Sequence, residues 1–119
     1  MPENPPKTLV FKILAAADWQ GAVAAGCFTG SAVDLRDGFI HISAAHQVRE
    51  TARRHFAGQD DLLLVAFVAE DLGLLRWEPS RGGDLFPHVH GGLDPASAVW
   101  TAALPWRNGE HVFPERFAP

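Results

Sequence analysis

Apolar residues recur along this chain in two rhythms. Leu9 to Leu14 is a short apolar run broken only by Lys12, and Leu62 to Val68 is an unbroken one. A run without polar alternation suits a strand covered on both faces, so Leu62 to Val68 is expected in the middle of a sheet. Phe39 to Ser43 alternates, placing Ile40 and Ile42 on one face and Phe39, His41 and Ser43 on the other. Leu75 to Glu78, Phe86 to His90 and Val99 to Leu104 are further strand candidates, separated by Gly, Pro and Asp. Helical spacing takes over twice. Asp18 can cap a helix through Trp19, Ala22 and Val23 that Gly26 closes, and Ser43 can cap another carrying Ala45, Val48, Ala52 and Phe56. The second ends in Arg53-Arg54-His55, which suits the negative end of a helix dipole, before Gly58 stops it. Between the helices, Ser31 to Gly38 reads as a polar turn region. The order β-α-β-α-β-β-β, with strands clustered late, argues for an α+β fold rather than a doubly wound sheet.

Length and charge narrow the function classes. A chain of 119 residues with 47% hydrophobic content is expected to form one globular domain, with no room for a second of comparable size. We expect a flexible leader over 1–8, a single domain over 9–113 and a tail over 114–119 that Phe113 and Phe117 could pin. A lone Cys27 excludes an internal disulfide and a multi-cysteine zinc site. Net charge of -4 disfavours a nucleic-acid footprint. No apolar run approaches a membrane span, and Met1 to Thr8 lacks the pattern of a secretory signal, so the expected location is the cytoplasm without membrane contact. Neither a G-x-G-x-x-G loop nor a Walker lysine motif occurs.

Candidate chemistry concentrates in two segments. His41 lies beside Ser43 on the face opposite two core isoleucines, either as a ligand-contacting histidine or as a half-buried one bonded to a carbonyl. In Phe86-Pro87-His88-Val89-His90, strand alternation puts Phe86, His88 and His90 on one face, and an H-x-H pair can present two imidazoles to one metal or anion. Glu78, on the face opposite Trp77, could place a carboxylate beside them if the strands pair. Arg81 in a Gly-Gly loop could hold a phosphate. The structural alternative is a hairpin with a polar tip and Glu78 in a surface ion pair. His46, His55 and His111 are assigned to the surface. Cys27 follows a helix C-terminus, a poor setting for a thiolate nucleophile. No serine sits in a G-x-S-x-G elbow.

Lys12 within Val10 to Leu14, Gly38-Phe39-Ile40-His41-Ile42-Ser43, Gln47, Asp60 to Val65, Trp77-Glu78 and Phe86-Pro87-His88 with Gly91 resemble the domain-of-unknown-function 952 family of small bacterial proteins. The resemblance runs from about Val10 to Phe113. It implies a fold similar to the ADP-ribosyltransferases, with two small, mostly antiparallel sheets and short helices around a cleft for NAD. By that analogy His41, Ser43, Glu78 and His88 line the cleft. The chain holds no tyrosine, has Lys12 on the first strand, and carries His90 where the family's run would have tyrosine. These departures shift the expectation from ADP-ribosyl transfer towards a related nucleotide or NAD-derived ligand.

Three readings follow. The first is a small-molecule enzyme or binder in which His41 and His88 donate or carry protons, Glu78 steadies developing positive charge on a ribose, and Arg36 or Arg81 holds a phosphate. Ser43, Trp77, Phe86 and His90 would complete its ligand contacts, and NAD is its candidate cofactor. The second is a metal-dependent hydrolase built on His41, His88 and His90 with Glu78. The third is a non-catalytic interaction module anchored by Trp77 and Phe86. Oligomeric state is left open.

Overall fold

The computed structural model describes residues 7–117. Residues 1–6 of the expected leader and 118–119 of the expected tail lie outside them. Thr8 is tied to the body through its amide, 2.8 Å from Glu70 Oε1, and Phe117 is buried against Phe11.

The first strand, β1 (Leu9–Ala15), pairs antiparallel with β4 (Leu62–Val68) over its whole length, from Leu9 opposite Val68 to Ala15 opposite Leu62. On its other side β1 pairs with the two-residue β3 (Ser43–Ala44), and β7 (Trp100–Ala103) completes the sheet in the order β3-β1-β4-β7. The unbroken apolar run is therefore an interior strand, and both its faces are covered. Val65 and Phe67 pack on Trp19 and Ala22 of α1 (Ala16–Ala25), while Leu64 and Ala66 share a core with Val48 and Ala52 of α3 (Ala45–His55). The second sheet has the order β2-β6-β5, from β2 (Ile40–His41), β6 (Leu85–Val89) and β5 (Leu75–Pro79). This is an α+β fold of small antiparallel sheets with short helices. Among the described residues, no helix is long and apolar enough to cross a membrane.

Several local expectations need correction. Ser31 to Gly38 is not merely a turn: it holds α2 (Ala32–Asp37), closed by Gly38 at φ 87°. Asp18 sits in the first turn of α1, whose cap position is Ala15. The cap of α3 is Ala44, whose amide donates to Gln47 Oε1 at 2.9 Å, and Ser43 is engaged elsewhere. A hairpin of β8 (Trp106–Arg107) and β9 (Glu110–His111) was not anticipated; it turns through Asn108 and Gly109, both at positive φ (53° and 83°). This two-residue loop suits Asn-Gly because both central positions need the left-handed region. His111, expected at the surface, is buried with Nε2 2.9 Å from the Gln59 carbonyl oxygen.

The decisive departure concerns Phe39 to Ser43. Ile40 and His41 pair with Val89 and His88 in the second sheet, whereas Ser43 and Ala44 pair with Phe11 and Val10 in the first. The chain changes sheets at Ile42, whose amide bonds the Pro87 carbonyl at 3.1 Å. One five-residue segment thus joins the two layers, with His41 on one side of the crossing and Ser43 on the other.

Candidate functional site

Strand alternation sends Lys12 to the same face of β1 as Val10 and Leu14, into the layer between the sheets, where it is 5% exposed. An ammonium there needs compensation for lost hydration. Its three protons meet three acceptors: Asp34 Oδ2 at 2.9 Å, Asp34 Oδ1 at 3.2 Å and the His41 carbonyl oxygen at 2.9 Å. Asp34 is itself 2% exposed. It also accepts from the Ser31 amide at 2.8 Å and the His41 amide at 3.0 Å. His41 Nδ1 lies 2.7 Å from Asp34 Oδ1, and its Nε2 lies 3.0 Å from Asp37 Oδ2. Burial by itself would push the Asp34 carboxyl up; the His41 hydrogen bond, the Lys12 charge and the backbone donors reverse this and hold it far below the usual carboxylate range. Burial pushes the Lys12 ammonium down, and the Asp34 charge opposes that.

A second carboxylate–histidine group stands on the second sheet. Pairing of β5 with β6 places Glu78 opposite Phe86, so Glu78 shares the face of His88 and His90. Glu78 Oε1 is 2.9 Å from His88 Nδ1 and 2.7 Å from His90 Nε2. The Phe39 ring stacks on His88 with centroids 4.1 Å apart, and His41 meets His88 edge-on at 5.7 Å. His88 is only 4% exposed. Burial pushes its imidazole down, and the Glu78 carboxylate offsets this in part. The two histidine bonds, that from His90 foremost, hold Glu78 below the usual range.

Between the sheets and α3 opens a cleft of about 440 Å³. Phe11, Ile13, Phe56 and Phe86 supply its apolar lining, His41, Ser43 and His88 its polar lining, and Arg36, Arg54 and Arg81 its cations. Of the residues singled out in the sequence, Arg36, His41, Ser43, Arg81, Phe86 and His88 are brought together there. Arg36 pairs with Asp37 at 2.9 Å, and the Arg81 guanidinium lies 4.9 Å from the Phe86 ring and 3.5 Å from Glu50. Arg81 opens a short 3₁₀ turn whose Gly82 and Gly83 adopt φ of 66° and 80°. Glu78, Trp77 and His90 do not line the cleft. Glu78 reaches it only through His88, and Trp77 is 41% exposed on β5, the edge of the second sheet.

Sequence reading missed Asp34, Asp37, Thr51 and Arg54. Asp34 did leave a signal, since Ser31-Ala32-Val33-Asp34 has the S-x-x-D spacing of a helix-initiating cap. The metal reading finds no support: among the described residues, no group of three or more His, Cys, Asp or Glu side chains is disposed to hold a metal. His88 and His90 converge instead on one Glu78 oxygen.

Comparison with known proteins gives the same fold without a function. The family model described as "Protein of unknown function (DUF952)" matches residues 13–101. The crystal structure of protein CC0527 from Caulobacter crescentus is 46% identical, covers 92% of this chain and 98% of its own, and superposes with a TM-score of 0.88. The solution structure of CC0527 is 48% identical, covers 87% of this chain and 90% of its own, with a TM-score of 0.78. No curated protein matches the chain.

Proposed function

Because the chain belongs to the DUF952 family, whose description carries no activity, its function must come from the cleft, and we propose that it binds a small anionic ligand of nucleotide or NAD-derived type there. On this reading His88 is the proton acceptor and Glu78 its positioning residue. One observation carries the proposal: a buried histidine with one nitrogen held by a carboxylate lies in the wall of a cleft that also holds arginines. Glu78 is ionised near neutral pH and can only accept, so His88 Nδ1 carries the proton and Nε2 keeps its lone pair. Burial favours neutral His88, the form a general base needs. Among the described residues Nε2 has no hydrogen-bond partner, and it is the nitrogen on the ring edge away from Glu78.

The remaining lining suits such a ligand. Arg54 and Arg81 offer guanidinium groups to phosphate oxygens, and Phe86 and Phe56 offer apolar surface to a flat ring. The ADP-ribosyltransferase-like fold that the family resemblance implies would take the same ligand class. An exposed, unpaired Cys27 accords with the cytoplasm as the working compartment.

Thermal unfolding with and without millimolar NAD, ADP-ribose or AMP, on wild type and Arg81→Ala, tests the proposal. A ligand at about 100 times its dissociation constant stabilises the fold by roughly 2.7 kcal/mol, raising the midpoint of a domain this size by several degrees. The expected result is a rise in the wild type that Arg81→Ala diminishes. No rise with any of the three, on protein shown to be folded, overturns the anionic-ligand reading.

A further inference from the structure

We infer that the cleft recognises a ribose phosphate, with the sugar hydroxyls donating to Ser43 and His88 while the arginines take the phosphate. This rests on the anionic-ligand reading above and specifies which part of the ligand the buried wall reads.

The inference follows from the direction of each hydrogen bond around the cleft. Three of its lining side chains are both polar and buried: Lys12, Ser43 and His88. Lys12 has its three protons committed to Asp34 and the His41 carbonyl, so it offers nothing to a ligand. Thr51 donates its hydroxyl proton to the Gln47 carbonyl, one turn back in α3, at 3.1 Å. A hydroxyl has one proton, so in the 3.0 Å contact between Ser43 Oγ and Thr51 Oγ1 the threonine accepts and the serine donates. Ser43 therefore faces a ligand with lone pairs only. His88 is in the same condition, since Nδ1–H is held by Glu78 and Nε2 is bare.

The two acceptors line one cleft from adjoining sheets. His41 stands opposite His88 in the β2–β6 ladder, and Ser43 follows His41 by two residues across the sheet change. Two bare acceptors repel a phosphate oxygen and demand donors without negative charge, as the hydroxyls of a vicinal diol are. The arginines demand the reverse. A molecule with hydroxyl donors on one ring and a phosphate attached to it meets both demands. Inorganic phosphate meets only the second, and a 2′-deoxyribose loses one donor of the first.

Isothermal titration of the wild-type chain with AMP, 2′-deoxyadenosine monophosphate and inorganic phosphate tests this without any substitution. A hydroxyl bonded to a buried neutral acceptor contributes enough to give AMP an advantage of about tenfold over the deoxy nucleotide. Ser43→Ala and His88→Asn should each bring that ratio towards one while leaving phosphate affinity in place; the asparagine amide can keep the bond to Glu78 as it removes Nε2. Equal affinity for the two nucleotides, with phosphate competing, overturns diol recognition and leaves the anionic-ligand reading standing. Absence of binding by all three removes both.

Discussion

Two carboxylate–histidine groups meet where His41 stands edge-on to His88 at 5.7 Å, and they differ in how far their hydrogen bonding is satisfied. Around Asp34, every polar atom is answered: Lys12, His41 and two backbone amides surround one carboxylate that water scarcely reaches. Around Glu78, two imidazoles share one half-exposed carboxylate oxygen, and His88 keeps a nitrogen without a partner among the described residues. The same residue types give a saturated hub in one place and an incompletely bonded edge in the other. What separates them is burial together with the completeness of the hydrogen bonding, since a saturated group has nothing left to offer a ligand.

The largest effect should come from the hub. Asp34→Asn leaves the Lys12 ammonium buried without its counter-charge and should lower the unfolding free energy by about 3–5 kcal/mol in urea titrations. Adding Lys12→Met should recover part of that loss, because removing both partners of a buried pair costs less than removing one. A double variant no more stable than Asp34→Asn would show that the charge pair is not what makes this carboxylate central.

Gly30→Ala should come next. Gly30 has φ of 124°, and a Cβ there would lie 2.9 Å from Asp34 Cβ, so the methyl adds backbone strain and presses on the hub. A loss of about 1–3 kcal/mol is expected by differential scanning calorimetry.

Acid titration separates the two groups by pH. Asp34 is depressed in the folded chain, so the unfolded chain protonates it first, near pH ~3.9. Its stabilisation is complete above that pH and drains away as pH falls towards the folded value, and Asp34→Asn should flatten this limb. His88 is also lowered, so the unfolded histidine takes up its proton first, near pH ~6.5. Its share of stability is therefore present above that pH and is lost as pH falls below it, and His88→Asn should remove this slope while leaving the Asp34 limb intact.

The smallest effect on stability should be that of Glu78→Gln, because the carboxylate is solvent-screened. Its effect on the cleft should be plain: a glutamine amide can donate to His88 Nδ1 and move the proton to Nε2. Imidazole nitrogen shifts in NMR would report the change of tautomer, and AMP affinity should fall with it. An unchanged tautomer would remove Glu78 as the positioning residue.

How much of this was legible depended on whether the cause was local. The interior place of β4 was readable because no polar residue interrupts Leu62 to Val68, and α3 because its apolar positions keep helical spacing. The short α2 was missed because six residues, half of them polar, are too few to show a helical period, although Ser31 and Asp34 mark its start. Asn108-Gly109 announced the last hairpin and was passed over. The splitting of Phe39 to Ser43 between two sheets had no local signal, since it depends on β1 and β6 arriving from distant parts of the chain. The same holds for Asp34 as a hub: nothing near it in sequence says that Lys12 will be buried beside it. For Trp77, alternation correctly put Glu78 on the other face but could not say that the cleft lies on Glu78's side.

The sheet change at Ile42 has a mechanical consequence. Because one stretch of backbone is paired into both layers, it acts as a rivet between them, and the walls carrying His41 and Ser43 cannot part without breaking ladder pairs on either side. The cleft is therefore a mould rather than a jaw, and the backbone amides of His41 and Ser43 should exchange with solvent only when the whole domain opens.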